Sequence, residues 1–166
     1  MKAARKEAKA AGPAVKVVAK NRRARHDYDI LETHEAGIAL VGTEVKSLRG
    51  GQIQLKDSYA RMDAGELWLV GVHVSPYAQT DGFGGHDPER RRKLLLHRSE
   101  IAELANRVAL ESLTIVPLSV YFKEGRAKVE LGLARGRRRH DKRAAIAERD
   151  ANREAQRALS RRNREA

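Results

Sequence analysis

The sequence lacks cysteine altogether, and its 166 residues include only one Trp, four Tyr and two Phe. Without cysteine, disulfides, thiol catalysis, iron–sulfur clusters and the common zinc fingers are excluded. No stretch approaches the roughly 20 apolar residues that a membrane span needs, and the N-terminus has no apolar signal core. We therefore expect a soluble, cytoplasmic protein that folds by packing alone.

What the sequence has in excess is positive charge, since 34 Lys and Arg against 22 Asp and Glu give a net charge of +12. Residues 1–25 carry a net charge of +8 and residues 135–166 carry +7, whereas residues 26–134 carry −3. Basic ends around a mildly acidic centre are typical of a folded module whose arms await a polyanionic partner. This division predicts a basic N-terminal arm over 1–20, a folded domain over 21–134 and a basic C-terminal tail over 135–166.

The central segment has the alternating apolar pattern of β-strands. Turn residues at 35–37, 64–65 and 124–125 separate these strands. Helical spacing predicts one short helix after Thr43 and a longer helix within 89–112. Many short strands with few helices predict a mainly β fold, a small closed barrel with short flanking helices.

The tail has a different pattern, because Arg149, Arg153, Arg157 and Arg161 recur every four residues beside an alanine-rich side. Alanine favours helix but buries little, and like charges at this spacing repel each other. We predict a tail that is largely disordered alone and becomes helical on an anionic surface. A membrane-surface helix is the competing interpretation, which the lack of aromatic residues in the tail disfavours.

Enzyme signatures are weak. Residues 37–44 have the glycine spacing of a phosphate-binding loop, but Thr43 and Glu44 stand where lysine and a hydroxyl residue are required. The six histidines show no metal-ligand spacing. A nuclease site that uses Glu35, Glu44 and Asp57 is an open alternative, although the sequence displays no clustered metal-bridging carboxylates. We expect no enzyme activity, no metal and no cofactor.

A binding function has more support. The basic ends can supply phosphate contacts, which give salt-dependent affinity for nucleic acid. Aromatic residues are few and mostly fall on strands that are expected to face a core, so a stacking platform for single strands is not expected. This favours recognition of a structured RNA by shape. A structural ribosomal protein with basic extensions is the alternative.

Five segments, in this order, resemble motifs of the SsrA-binding protein family (small protein B, SmpB): Asn21–Tyr28, Glu35–Ile38, Gly42–Arg49, Arg92–His97 and Asp141–Arg143. The resemblance spans about residues 21–153. It implies an OB-fold-like barrel that, as a monomer, binds the tRNA-like domain of transfer-messenger RNA and accompanies it to stalled ribosomes. There the protein would take the place of the missing anticodon arm during trans-translation, in contact with small-subunit ribosomal RNA.

The resemblance also implies roles for individual residues. Asn21, Glu35 and Leu95 fall on RNA-contacting positions of the family, and Tyr28 lies within the same surface motif. A turn at Glu35 would leave its carboxylate free to accept hydrogen bonds, whereas periodicity alone would favour Leu95 as a core residue. The resemblance places a segment of the tail near the decoding centre, and the part of the tail that follows it is expected to become helical in the empty mRNA channel. The residues of that segment are Arg135, Arg137, Arg138, His140, Asp141, Lys142 and Arg143.

Overall fold

The computed structural model describes residues 14–77, 85–137 and 139–165. Within these residues the chain forms antiparallel β-strands with bounds as follows: β1 Val15–Lys20, β2 Tyr28–Ile38, β3 Ile53–Gln54, β4 Tyr59–Asp63, β5 Glu66–Val70, β6 His73–Val74, β7 Arg92–Leu95, β8 Thr114–Lys123 and β9 Arg126–Gly136. The helices are α1 Arg22–Asp27, α2 Gly42–Arg49, α3 Arg98–Glu111 and α4 Arg139–Glu165. The predicted mainly β fold with flanking helices is confirmed.

Six strands pair in the order β8-β4-β5-β7-β2-β9, and β9 pairs again with β8. The β2–β9 and β8–β9 ladders are long, whereas β4 and β8 are joined by a single pair, Ala60 opposite Ile115. β1 extends the sheet along β8, and β3 pairs with β6 in a separate two-stranded sheet. Because one of the six pairings is this narrow, barrel closure in the OB-fold sense stays a prediction.

The main core lies where the inner faces of the large sheet meet α2 and α3. Alternate residues along each strand point inward, as the pleat requires, and Leu48 of α2 and Leu104 of α3 join them. A second, smaller apolar cluster lies beneath α1, where Ala24 packs against Val116 and Leu118 of β8. The first turn of α1 is therefore held on the sheet.

Two predicted elements were wrong. No turn occurs at residues 35–37, because β2 runs unbroken through them and pairs Ala36 with Val129. The ladder to β9 supplies the backbone hydrogen bonds that a turn would forfeit. The helix predicted within 89–112 is shorter, since Arg92–Leu95 is strand β7, with Leu94 buried and Leu95 exposed. Helix α3 begins only after His97, whose N–H donates to Glu100 Oε2 at 3.0 Å.

The tail residues Arg139–Glu165 form one helix, whose described side chains are nearly all exposed. Its contact with the rest of the protein is slight and involves α1, where the Arg149 guanidinium donates to the Arg25 carbonyl at 2.8 Å. The tail has the helical conformation that was predicted for its bound form, and the dependence of that helix on an anionic partner stays a prediction. The three-part division also stays a prediction, although Val15–Lys20, assigned to the N-terminal arm, pairs with β8 as a strand.

Candidate RNA-binding surface

Glu35 lies in the middle of β2 and not in a turn, with its side chain on the outer face of the sheet. It accepts a hydrogen bond from the Tyr121 hydroxyl, and Lys123 Nζ lies 3.3 Å from its Oε2. The Tyr121 hydrogen bond is the main cause that lowers the pKa of Glu35, partial burial opposes it, and Lys123 and Lys128 lower it further. The carboxylate is thus charged near neutrality while 39% of its side-chain surface stays exposed.

Tyr121 holds Glu35 in place because it can only donate to the carboxylate. Burial and the adjacent negative charge both raise the pKa of Tyr121, so its hydroxyl keeps its proton. Sequence analysis missed Tyr121 and Lys123, although the two-residue period of β8 places both on one face. The missing information was the pairing of β8 with β9 and of β9 with β2, which sets Tyr121 beside a residue that is 86 positions away.

Leu95 is exposed at 51%. The core position that the apolar periodicity favoured for this residue was therefore wrong. It stands opposite Gly37 at the end of β7, where an added Cβ on Gly37 would lie 3.2 Å from Leu95 Cβ. Leu95 also borders a groove of about 390 Å³ whose other side carries Arg126 and Lys128. Lys128 of β9 pairs with Gly37 of β2, and Gly37 lies two positions after Glu35 on the same strand. Leu95 and Glu35 therefore belong to one outer surface, with cations beside them.

Asn21 is 9% exposed, and its amide serves the fold. Oδ1 caps α1 by accepting from the Ala24 N–H at 3.1 Å, while Nδ2 donates to the carbonyls of Leu55 and Pro117 at 3.2 and 3.0 Å. Both N–H groups of the amide are thereby used. A direct RNA contact by Asn21 stays a prediction, and its visible role is to position α1 against β8.

Tyr28 is half-buried at the start of β2, opposite Gly136. It lines a cleft together with Asn21, beside α1, whereas Glu35 and the β7 residue Leu95 lie farther along β2, near Gly37. The four residues that the resemblance assigns to RNA contact therefore fall into two groups: Asn21 and Tyr28 line the cleft, and Leu95 lines the groove near which Glu35 lies.

The described residues that were assigned to the decoding centre lie at the end of β9 and in the first turns of α4. Arg135 and Arg137 flank the end of β9, where the Arg137 N–H donates to the Asp27 carbonyl at 3.0 Å and its side chain faces Asp29. Arg138 lies outside the described residues. The backbone of His140, Asp141, Lys142 and Arg143 belongs to the first turns of α4. Arg135 and Arg137 thus lie beside the end of α1 and the start of β2, close to the cleft that Tyr28 lines.

A buried ion network, which sequence analysis did not foresee, joins two of the five motifs. Glu44 and Arg92 are both fully buried, with Arg92 Nε 2.8 Å from Glu44 Oε1. Arg90 donates to both oxygens of Glu44, at 2.8 and 2.6 Å, and the Val41 N–H donates to Oε2 at 3.0 Å. Burial opposes ionisation of Glu44, but these donors outweigh it and lower its pKa. The network fixes α2 against the start of β7, the strand that carries Leu95.

The nuclease alternative gains no support from this geometry. Glu44 is enclosed by arginines, Glu35 is bound by Tyr121, and Asp57 lines the cleft beside α1. Among the described residues, no three His, Asp or Glu side chains are grouped so that they could hold a metal ion. In the same part of the chain, no helix combines the length and the apolar character that crossing a membrane demands.

Comparison with known proteins gives one consistent result. A family model described as SmpB protein matches residues 18–161. The SsrA-binding protein of Parafrankia sp. (strain EAN1pec) is 57% identical over 147 residues, which cover 88% of this chain and 92% of that protein. The SsrA-binding protein of Desulforudis audaxviator (strain MP104C) is 58% identical over 143 residues, with 86% and 93% covered.

A solved structure described as "tmRNA-SmpB: a journey to the center of the bacterial ribosome" contains a chain that is 53% identical to this one. The alignment has a TM-score of 0.62 and covers 77% of this chain and 93% of that chain. The fold, the ordered motifs and the matched length agree, and this chain belongs to the SmpB family of SsrA-binding proteins.

Proposed function

We propose that this protein binds the tRNA-like domain of transfer-messenger RNA (SsrA RNA) and delivers it to stalled ribosomes for trans-translation. The observation that carries the proposal is the family match over residues 18–161, together with relatives above 50% identity that are named for SsrA binding. The protein stands in for the anticodon arm, and its action tags incomplete peptides and rescues the ribosome.

The geometry of the Glu35 surface supports this function. An ionised carboxylate that Tyr121 holds in place can accept hydrogen bonds from base or ribose donors of a structured RNA. The exposed Leu95 supplies an apolar contact beside it, and Lys128 supplies a cation for phosphate. The central domain is mildly acidic overall, so selectivity comes from this arrangement and not from net charge.

The tail supports the second half of the proposal. Helix α4 carries arginines at every fourth position and makes few contacts with the rest of the protein, so it is available to a polyanion. We place Arg135, Arg137, Arg138, His140, Asp141, Lys142 and Arg143 at the decoding centre of the small subunit. The arginine row of α4 then lies in the empty mRNA channel, where ribosomal RNA neutralises its mutual repulsion.

The protein acts in this proposal as a binding factor in the cytoplasm, as a monomer and without catalysis of its own. Its contribution is to place the aminoacylated transfer-messenger RNA in the ribosome, and the ribosome itself catalyses peptide transfer.

Two variants test the two halves separately. Glu35→Arg should weaken binding of the purified tRNA-like domain at least about tenfold, because it replaces a hydrogen-bond acceptor by a like charge beside Lys123 and Lys128. Deletion of residues 139–166 leaves β9 complete, so it should spare this binding and abolish tagging in a reconstituted stalled-ribosome assay. Normal tagging by the truncated protein would contradict the decoding role.

The ribosomal-protein alternative predicts a different outcome in cells. It requires one copy per ribosome and retention on ribosomes that hold no transfer-messenger RNA. Recovery of the protein with one small RNA in moderate salt, and substoichiometric amounts on translating ribosomes, would exclude it.

A further inference from the structure

A cleft of about 420 Å³ opens between α1 and the start of β4, away from the Glu35 surface. Its floor is apolar, with Ala24 and Val116 both buried. Asn21 holds α1 at this distance from β8 through its three hydrogen bonds. The volume lies within the range of about 300 to 1,000 Å³ that small-ligand sites occupy.

The walls of the cleft carry aromatic rings. Tyr28 is half-buried, and Tyr59, at the start of β4, is exposed at 40%. The sequence placed most tyrosines on strand positions expected to face the core. The fold instead brings Tyr28 of β2 and Tyr59 of β4 together at one cleft. Aromatic rings beside a cavity stack on planar ligands, and nucleobases stack on any such ring whatever their sequence.

The rim of the cleft carries two carboxylates and one guanidinium. Arg23 bridges the carboxylates, with Nε 3.3 Å from Asp27 Oδ2 and a terminal nitrogen 3.9 Å from Asp57 Oδ1. Asp57 is 72% exposed and sits at a φ of 59°, in the left-handed region, which Asp tolerates better than most residues. At 3.9 Å the Arg23 contact to Asp57 is too long for a hydrogen bond, so the Asp57 carboxylate can accept from another donor without losing one.

The surroundings of the cleft are basic. Arg22 and Arg25 of α1 and Lys56 in the β3–β4 connection are all exposed. Exposed cations around a cleft whose rim carries carboxylates and whose walls carry aromatic rings match the chemistry of a nucleotide, whose phosphate is anionic and whose base is planar with N–H donors.

We propose that this cleft binds an unpaired guanine base of an RNA ligand, with Tyr59 stacked on the base and Asp57 accepting from its Watson–Crick edge. Guanine presents N1–H and an exocyclic amino group side by side, which one carboxylate accepts together. The other bases place an acceptor beside their donor on this edge and would face repulsion from the carboxylate. The inference rests on the proposed RNA-binding function and assigns a base-specific site to it.

The test uses the full-length chain and three fluorescein-labelled RNA nonamers of uridine that carry guanosine, inosine or adenosine at the centre. Inosine keeps N1–H but lacks the amino group, so it isolates one hydrogen bond to a charged acceptor. Fluorescence anisotropy should show the guanosine nonamer binding about tenfold more tightly than the inosine nonamer. Equal affinities for guanosine, inosine and adenosine in the unmodified protein would overturn the proposal.

Two variants locate the effect. Asp57→Asn keeps the side-chain size, and Asn also tolerates the left-handed backbone, so it should reduce the guanosine preference to less than about twofold. Tyr59→Leu should weaken all three nonamers by about fivefold or more through loss of stacking. Asp63→Asn, at an exposed carboxylate that pairs with Arg91 at the β4–β5 turn, is the matched control and should change nothing. Guanosine preference that survives in Asp57→Asn would also overturn the assignment.

Failure of this inference is distinguishable from failure of the proposed function. If the protein binds the tRNA-like domain through Glu35 but ignores base identity in the nonamers, the cleft assignment falls and the proposed function stands. If the protein retains guanosine preference but does not bind the tRNA-like domain more tightly than an unrelated folded RNA, the proposed function falls.

Discussion

Replacement of Glu44 by glutamine gives the sharpest test of how the fold is held. The substitution keeps the size of the side chain but removes its charge, and one oxygen becomes an amino group that faces guanidinium donors. Arg92 would then be fully buried without its counter-charge, and its acceptors would be neutral: the one remaining amide oxygen, for which Arg90 competes, and the carbonyls of Val72, Arg90, Asp87 and Pro88. Loss of one member of a buried ion pair costs about 3 to 5 kcal/mol.

In a chain of this length each kcal/mol lowers the melting temperature by roughly 2 to 4 °C. We therefore expect Glu44→Gln to lower Tm by about 10 °C, measured by circular dichroism at neutral pH and supported by urea unfolding. The matched control is Glu66→Gln, which breaks the exposed pair with Lys93 and should cost less than about 1 kcal/mol. A loss for Glu44→Gln no larger than that of the control would refute the reasoning.

A double replacement separates the charge from the packing. Glu44→Leu combined with Arg92→Met removes both charges and keeps most of the buried volume. Because apolar pairs often match or exceed buried ion pairs in stability, the double variant should recover much of the loss. A double variant as unstable as Glu44→Gln would indicate that the bonds from Arg92 to backbone carbonyls, and not the pair itself, hold the segment.

Three further variants probe the surface and the second core cluster. Tyr121→Phe removes the donor to Glu35, so the Kd for the tRNA-like domain should rise about threefold to tenfold in a filter-binding assay. Because the pKa of Glu35 is lowered, chiefly by the Tyr121 hydrogen bond, its carboxylate stays ionised until the pH falls below its ordinary pKa, and RNA affinity should fall only there. Tyr121→Phe removes this cause and should move the loss of RNA affinity to higher pH. Gly132→Ala brings a Cβ within 3.1 Å of Leu118 and should lower the free energy of unfolding by about 1 to 3 kcal/mol in urea titrations. Leu95→Ala should weaken RNA binding at little cost in stability, because the side chain is half-exposed.

Controls for these variants come from the same chain. An added Cβ at Gly42 meets nothing within 4 Å, so Gly42→Ala should not destabilise the fold. Leu110 is exposed at 85% on α3, and Leu110→Ala should leave both stability and RNA affinity unchanged. If the Tyr121→Phe protein matched the unmodified protein both in RNA affinity and in the pH at which half of that affinity is lost, Tyr121 would have no role in orienting Glu35. A Leu95→Ala protein that unfolds more easily but binds RNA normally would make Leu95 a structural residue.

Local sequence patterns predicted elements well where the local preference and the tertiary contacts agree. The turn at Ala64–Gly65 is an example, because both residues have positive φ and the flanking strands pair residue by residue. The hairpin at Glu124–Gly125 is another. The patterns failed at residues 35–37 and 92–95. There, pairing with distant strands overrode turn composition and helical spacing, and no local signal reports a distant partner.

The sequence by itself determined the uneven distribution of charge, the lack of cysteine, the mainly β class and, through five ordered motifs, the family. These properties follow from residue identity and short-range spacing, which do not depend on how the chain folds back on itself. Only the tertiary structure decided that Leu95 is exposed, that Tyr121 orients Glu35, and that Glu44 is buried against Arg92. The structure also brought Tyr28 and Tyr59 to one cleft. Each of these contacts joins residues that are distant in the chain, and strand order and register alone determine which of them meet.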